Sequence, residues 1–172
     1  MKEKLFLQSN ELSLRLGSIQ ESDGEKLREW KNANRHAFFF QDIITPDQQA
    51  HWFEKYQSRA DDYMFMVIVE AQTIGCMGFR MIERCADIYN LILGERAWGG
   101  KGLMSQAMRL MCSFILSDFS REIGAQVLRS NPAIRWYQQN GFRAYLTHDT
   151  FIEMRLDLTL FQPYAFHRTA MV

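Results

Sequence analysis

Leu12, Leu14 and Leu16 alternate with Ser13 and Arg15, the two-residue period of a strand with one buried face. Leu27 and Trp30 follow at a helical step, behind Ser22 or Asp23, either of which can cap a helix there. Residues 32–44 show neither period and hold Phe38, Phe39 and Phe40 in a row. Thr45-Pro46-Asp47 then opens a second helix, with threonine capping and proline at the first helical position. Ala50, Trp52, Phe53 and Tyr56 carry that helix to about Ser58. Beyond a polar connection at 59–62 the period changes. Residues 63–70 are almost continuously apolar and read as a buried strand, 71–72 as a tight turn, and 73–82 and 87–93 as two more strands. Gly75 and Gly78 mark points of bulging or close backbone approach.

A glycine-rich turn at 98–102 leads into a helix on which Leu103, Ala107, Leu110, Met111, Phe114 and Ile115 share a face, ending near Asp118. Residues 122–128 read as a strand, and Asn131-Pro132 opens a short helix over 133–140 that Gly141 closes. Residues 142–148 and 151–158 are the last strands. Residues 1–10 read as a loose leader, and those from Thr159 onward carry no pattern and either pack on a partner or fray. This order predicts a single α/β (α+β) domain around a central mixed sheet.

The 172 residues are 47 % apolar, enough for one domain with a substantial core. Lysine plus arginine number 20, as do aspartate plus glutamate, and a zero formal charge argues against a general nucleic-acid binder. Cys76, Cys85 and Cys112 lack Cys-x-x-Cys spacing, which suggests neither a disulfide framework nor a metal site and fits a reducing cytoplasm. The first residues show no signal-peptide pattern, and no apolar run approaches the roughly 20 residues needed to span a bilayer. The expectation is a cytoplasmic protein with no membrane and no nucleic-acid partner.

The candidate chemistry centres on WGGKGLMSQA, residues 98–107. A strand enters this turn and a helix leaves it. Amides at a helix start have no intrahelical acceptor, and the helix dipole adds positive character there. Glycine lets another group approach the backbone closely, so the turn is a candidate phosphate or pyrophosphate site.

About thirty residues later comes NPAIRWYQQNGF, residues 131–142. Together the two motifs resemble the GNAT (Gcn5-related N-acetyltransferase) superfamily, over a span from about Leu12 to Leu158. In the first motif, Gly102 matches the family's central glycine, while Gly99 and Met104 stand at its Gln/Arg and Gly/Ala positions. In the second, Ala133, Tyr137, Gly141 and Phe142 match, and either Ser130 or Asn131 takes the asparagine position. The resemblance implies a mixed, mostly antiparallel sheet of about seven strands, splayed in the middle and flanked by about four helices. It implies acetyl transfer from acetyl-coenzyme A to a primary amine, with no metal. Leu91, Ile92 and Leu93 would hold the pantetheine arm, and Gly99, Gly100, Lys101, Gly102, Leu103 and Met104 the pyrophosphate, with Asn131 as a further coenzyme ligand or a helix cap. Tyr137 would be the general acid, and Trp136 a packing residue. Candidates for the base are Asp87, Tyr89 through a water, His36, His51 and Glu83. Cys85 and Cys112, without a histidine or basic neighbour, read as buried thiols.

The acceptor side is aromatic. Three consecutive phenylalanines cannot all face one core, so at least one must face a pocket or a partner. The Trp30-Lys31-Asn32 and His51-Trp52-Phe53 segments are similar to a branch that acetylates nucleotide-linked amino sugars, which implies Trp30, Arg35, Phe39 and Tyr89 as acceptor-binding residues. WGGKGLM is similar to a branch that acetylates ribosomal-protein N-termini, so a peptide acceptor stays open. A catalytically weak coenzyme-binding module is the reading from another class, and a plain interaction protein a further one. A homodimer through the last strands or the phenylalanine cluster is also open.

Overall fold

A computed structural model describes residues 2–172. The hydrophobic run after the second helix explains the architecture best. Strand β3 (Asp62–Val69) alternates two sets of apolar side chains, and both are covered. Phe65, Val67 and Val69 join the larger core, and Met64 and Met66 the smaller one. Hence the run is continuous rather than alternating, as for any strand covered on both faces.

The larger core lies beneath helix α3 (Leu103–Asp118), which turns Ala107, Leu110, Met111, Phe114 and Ile115 toward the sheet. The smaller core lies beneath α1 (Gly24–Ala33) and α2 (Pro46–Ser58), through Leu27, Trp30, Phe53 and Tyr56. The start of α2 is as expected: Thr45 Oγ1 accepts from the Gln48 amide at 3.2 Å, and the Gln48 side chain accepts from the Thr45 amide at 2.9 Å. Asp23 does not cap α1 with its side chain; its carboxylate accepts from the Gln20 amide at 2.8 Å and shapes the turn before the helix.

The remaining elements are β1 (Leu5–Gln8), β2 (Leu14–Ser18), β4 (Gln72–Ile82), β5 (Cys85–Leu93), β6 (Glu122–Leu128), α4 (Ile134–Gln139), β7 (Phe142–Thr147), β8 (Phe151–Leu156) and β9 (His167–Ala170). They form one mixed sheet of nine strands in the order β7-β8-β6-β5-β4-β3-β2-β1-β9. The two strands beyond the expected seven correct the reading of both chain ends. The supposed leader contains β1, whose Leu5 and Leu7 are buried in the larger core. The patternless end contains β9, antiparallel to β1 from Leu5↔Ala170 to Gln8↔His167. All four β9 residues are exposed, so backbone pairing alone defines this strand and no apolar alternation announces it.

Two irregularities prepare the site. β5 and β6 form the one parallel pair among the described strands, and it ends early: Cys85–Ile88 pair with Glu122–Ala125, and no pairing follows. The register between β4 and β5 also slips. Cys76 faces Ile92 and Gly78 faces Tyr89, so β5 holds one extra residue there, and Asn90 adopts φ 52°. This bulge tilts the amides beyond Asn90 away from a regular ladder. At the end of β5, the Trp30 ring packs against Gly94, and a Cβ there would come within 1.9 Å of its Cε2. Gly94→Ala is expected to lower unfolding free energy by about 1–3 kcal/mol through overpacking, read by urea denaturation.

Candidate active site

Three cavities share walls along the line where β5 and β6 part. The largest, about 750 Å³, is a groove running from the end of β5 past the glycine turn to α4. Leu91, Ile92 and Leu93 form one wall, Gly99, Gly100, Gly102, Leu103 and Met104 a second, and Asn131, Trp136 and Tyr137 a third. Thus nine of the ten positions expected to hold the coenzyme line this one groove.

The local geometry follows from the glycines. Gly100 and Gly102 both have φ 72°, a conformation that costs other residues about 1–2 kcal/mol. A Cβ on either would meet nothing within 4 Å, so the space beside them is open. Gly102 caps α3 without a side chain, which leaves the first amides of that helix without a side-chain acceptor, and Leu103, Met104 and Ser105 line the groove. No acidic side chain lines the groove among the described residues, while Arg96 does. An anion therefore fits this cradle.

Lys101 is the exception. Its ammonium lies 4.8 Å from the centroid of the Trp98 ring and off the groove wall. Asn131 lines the groove, whereas Ser130 is exposed outside it. Its Oδ1 accepts from the Ala133 amide at 2.9 Å, its Nδ2 donates to the Ala37 carbonyl at 3.3 Å, and it thereby ties the start of α4 to the loop after α1. Trp136 packs on Tyr137, and its Nε1 donates to Ser105 Oγ at 3.0 Å.

A central cavity of about 190 Å³ lies at the strand break itself. Tyr137, Leu91, Phe38 and Asn131 belong to both the groove and this cavity. Burial, followed by the charges of Asp87 and Cys112, raises the Tyr137 phenol above the ordinary tyrosine range, so it keeps its proton. Asp87 also lines the central cavity. Burial raises its carboxyl above the usual range, while Arg80, with Nε 3.6 Å from Oδ2, pulls it down. Tyr89 presents its ring here, but its hydroxyl donates to the buried Asp62, and burial raises that phenol first of all. Of the five candidate bases, only Asp87 and Tyr89 reach a cavity. His36 is exposed, His51 sits on the outer face of α2 opposite Glu54 at 3.8 Å, and Glu83 turns the β4–β5 hairpin at φ 55°.

The third cavity, about 380 Å³, lies between α1, α2 and the middle of the sheet. Leu27, Ile44, Trp52 and Ile92 make its walls apolar, and Lys31, Tyr89, Asn90 and Phe40 join it to the central cavity. The three phenylalanines diverge. Phe38 lies under the Lys31 ammonium at 3.3 Å, Phe39 packs edge-on against Phe151 at 5.3 Å on the rim of the central cavity, and Phe40 lines the apolar one. The loop that carries them is pinned by Asn32, which accepts from the Ile44 amide at 2.8 Å and donates to the Ile44 carbonyl at 3.0 Å.

Of the expected acceptor residues, Phe39 and Tyr89 reach these cavities. Trp30 does not: it is 6 % exposed and belongs to the smaller core. Arg35, in the one-turn helix Arg35–Ala37, is on no cavity wall described above. Cys112 is a buried thiol as expected, Cys85 is half-buried, and Cys76 lies unexpectedly on the apolar cavity wall. Lys31 and Arg96 also escaped the sequence reading as site residues. The signal for Lys31 was its place four residues after Leu27, a lysine on the apolar face of its helix.

A nine-stranded mixed sheet with one short parallel pair thus opens at a groove that suits an anion. The chain belongs to the GNAT acetyltransferase family: the family's acetyltransferase (GNAT) domain matches residues 13–143. It is an N-acetyltransferase whose cosubstrate is acetyl-coenzyme A. No curated protein matches the sequence. Among solved structures, the fold is similar to RimL, a ribosomal L7/L12 alpha-N-protein acetyltransferase in complex with coenzyme A (TM-score 0.67, 16 % identity, 83 % of this chain and 92 % of that one). It is similar to apo FdhC, a nucleotide-linked sugar GNAT (TM-score 0.72, 15 % identity, 86 % and 88 %). It is also similar to AAC(6')-Ib in complex with ribostamycin and coenzyme A (TM-score 0.72, 19 % identity, 86 % and 95 %). Among the described residues no group of His, Cys, Asp and Glu is placed to hold a metal, and no helix is long and apolar enough to cross a membrane.

The cradle yields a direct test. Gly102→Val is expected to weaken acetyl-coenzyme A binding by about tenfold or more, because it fills the open side of the turn and disfavours its positive φ. The readout is titration calorimetry, with circular dichroism confirming the fold.

Proposed function

We propose that the protein transfers an acetyl group to the primary amine of a small molecule within a ternary complex. The strand break carries this reading. It places an anion cradle on one side and an apolar cavity on the other, and Tyr137 and Asp87 together on the wall between. A volume of about 380 Å³ suits a small molecule.

Acetyl-coenzyme A supplies an acetyl thioester when bound. The first amides of α3 and those of the glycine turn hold its pyrophosphate. The half of β5 that β6 leaves free, Leu91 to Leu93, offers backbone groups on that edge to the pantetheine arm, and an amide beyond the Asn90 bulge donates to the developing oxyanion. Asp87 takes the proton that the amine sheds as the C–N bond forms. Tyr137 gives its proton to the sulfur as the C–S bond breaks. The raised phenol stays protonated, as an acid must, and the raised carboxyl of Asp87 is better matched to accept a proton than an ordinary aspartate.

Tyr137→Phe is expected to lower kcat by roughly 100-fold or more while acetyl-coenzyme A affinity stays within about twofold. Wild-type turnover in that variant removes Tyr137 as the acid. With Tyr137 intact, kcat at saturating acceptor should show no alkaline decline attributable to Tyr137 up to about pH 10, near the ordinary tyrosine value, because burial moves this phenol upward. A decline centred below that value and lost in Tyr137→Phe contradicts the assignment. A panel of N-terminal peptides against small amines, read as thiol release, separates this reading from a ribosomal-protein-type activity.

A further inference from the structure

The apolar cavity has an unusual charge inventory for a site that receives an amine. Among the described residues, no aspartate or glutamate lines it, and its one charged side chain is Lys31. A protonated polyamine placed there would meet a like charge and walls that are mostly apolar, with the neutral polar groups of Gln48, Gln49, Asn90 and Tyr89. Repulsion and desolvation both oppose that, and no carboxylate on the wall offsets them.

Lys31 is itself incompletely served. Its ammonium donates to Asn90 Oδ1 and rests on the Phe38 ring, both neutral partners. The nearest carboxylate of the central cavity, Asp87, is already opposite Arg80. Buried cations are ordinarily paired with an anion. The consequence shows in the lysine, whose pKa falls to about 8 through burial, with no carboxylate among the groups that raise it. The Asn90 bond also holds the ammonium at the bulge of β5, so it faces the apolar cavity and the central one together.

We propose that the acceptor is a monoamine with an apolar or aromatic body and an anionic group, a carboxylate or a phosphate, which pairs with Lys31. The amine then points toward Asp87 and Tyr137, and the body lies on Trp52, Phe40 and Ile44. This rests on the acetyltransferase reading above and narrows its acceptor. It sets the chain apart from a ribostamycin-binding relative, whose ligand carries several amines and no anion.

The test is a matched panel with saturating acetyl-coenzyme A, read as thiol release. Tryptophan and phenylalanine present a carboxylate, a nucleotide-linked amino sugar presents phosphates, and tryptophanamide and phenylalaninamide lack the anion. Spermidine and ribostamycin are polycations. Turnover is expected for the carboxylate or the phosphate arm, which identifies the anion, and not for the polycations. Lys31→Gln should raise KM for the anionic acceptor about tenfold or more, and Lys31→Arg should restore most of it. The amide counterparts should be indifferent to both variants. Preferred turnover of spermidine or ribostamycin, equal use of acids and amides, or no panel member responding to Lys31→Gln overturns the proposal. A thermal shift with acetyl-coenzyme A is run alongside on each variant: its absence in the wild type overturns the enzyme reading instead, and its retention in Lys31→Gln shows an intact fold.

Discussion

The early end of the pairing between β5 and β6 is the constraint on which the site depends. Four residue pairs hold the strands together, from Cys85↔Glu122 to Ile88↔Ala125, and beyond them each strand keeps only its outer partner, β5 on β4 and β6 on β8. Backbone donors and acceptors left without a ladder partner in a closed interior are costly. The structure meets that cost by opening the break to a groove on one side and a cavity on the other. An extended ligand with amide groups can take the place of the missing strand. Tyr137, on α4, and Asp87, on β5, both line the cavity at this gap.

Everything around the break works to keep it open. α3 covers one face of the sheet and starts at the glycine turn, so one helix anchors the larger core and lines the groove with its first turn. On the other face, Trp30 seals the end of β5 against Gly94, and Asn32, two residues later, pins the phenylalanine loop at Ile44. A single turn of α1 therefore joins core packing, loop position and, at Lys31, the one charge of the apolar cavity. Stability and specificity share residues here, which makes substitutions in this helix hard to interpret without a measure of folding.

Much of this was legible in the sequence, for identifiable reasons. α2 and α3 were placed well because caps and a one-sided apolar face agree, as at Thr45-Pro46 and along Leu103 to Ile115. The groove was legible because two motifs about thirty residues apart, the glycine turn and Asn131 to Phe142, point to one site, and residues of both line the same groove. β1 and β9 were not legible: four residues are too few for a period, and β9 has no buried face. Trp30 was misassigned because an aromatic residue on a helix reads the same whether it faces a ligand or a glycine across the sheet. The direction of Lys101 was not legible because sequence proximity to the cradle does not set where a side chain points, and here its ammonium lies over the Trp98 ring. Asp62 is invisible from sequence since its role depends on a tyrosine two strands away.

The central claim is that the half of β5 left free by β6 and the start of α3 together receive acetyl-coenzyme A. Amide hydrogen exchange followed by mass spectrometry, with and without acetyl-coenzyme A, tests it most directly. The account predicts new protection concentrated in two segments, at Leu91 to Leu93 and across the glycine turn into the first turn of α3. Protection confined to other segments, or none at saturating coenzyme, would contradict it.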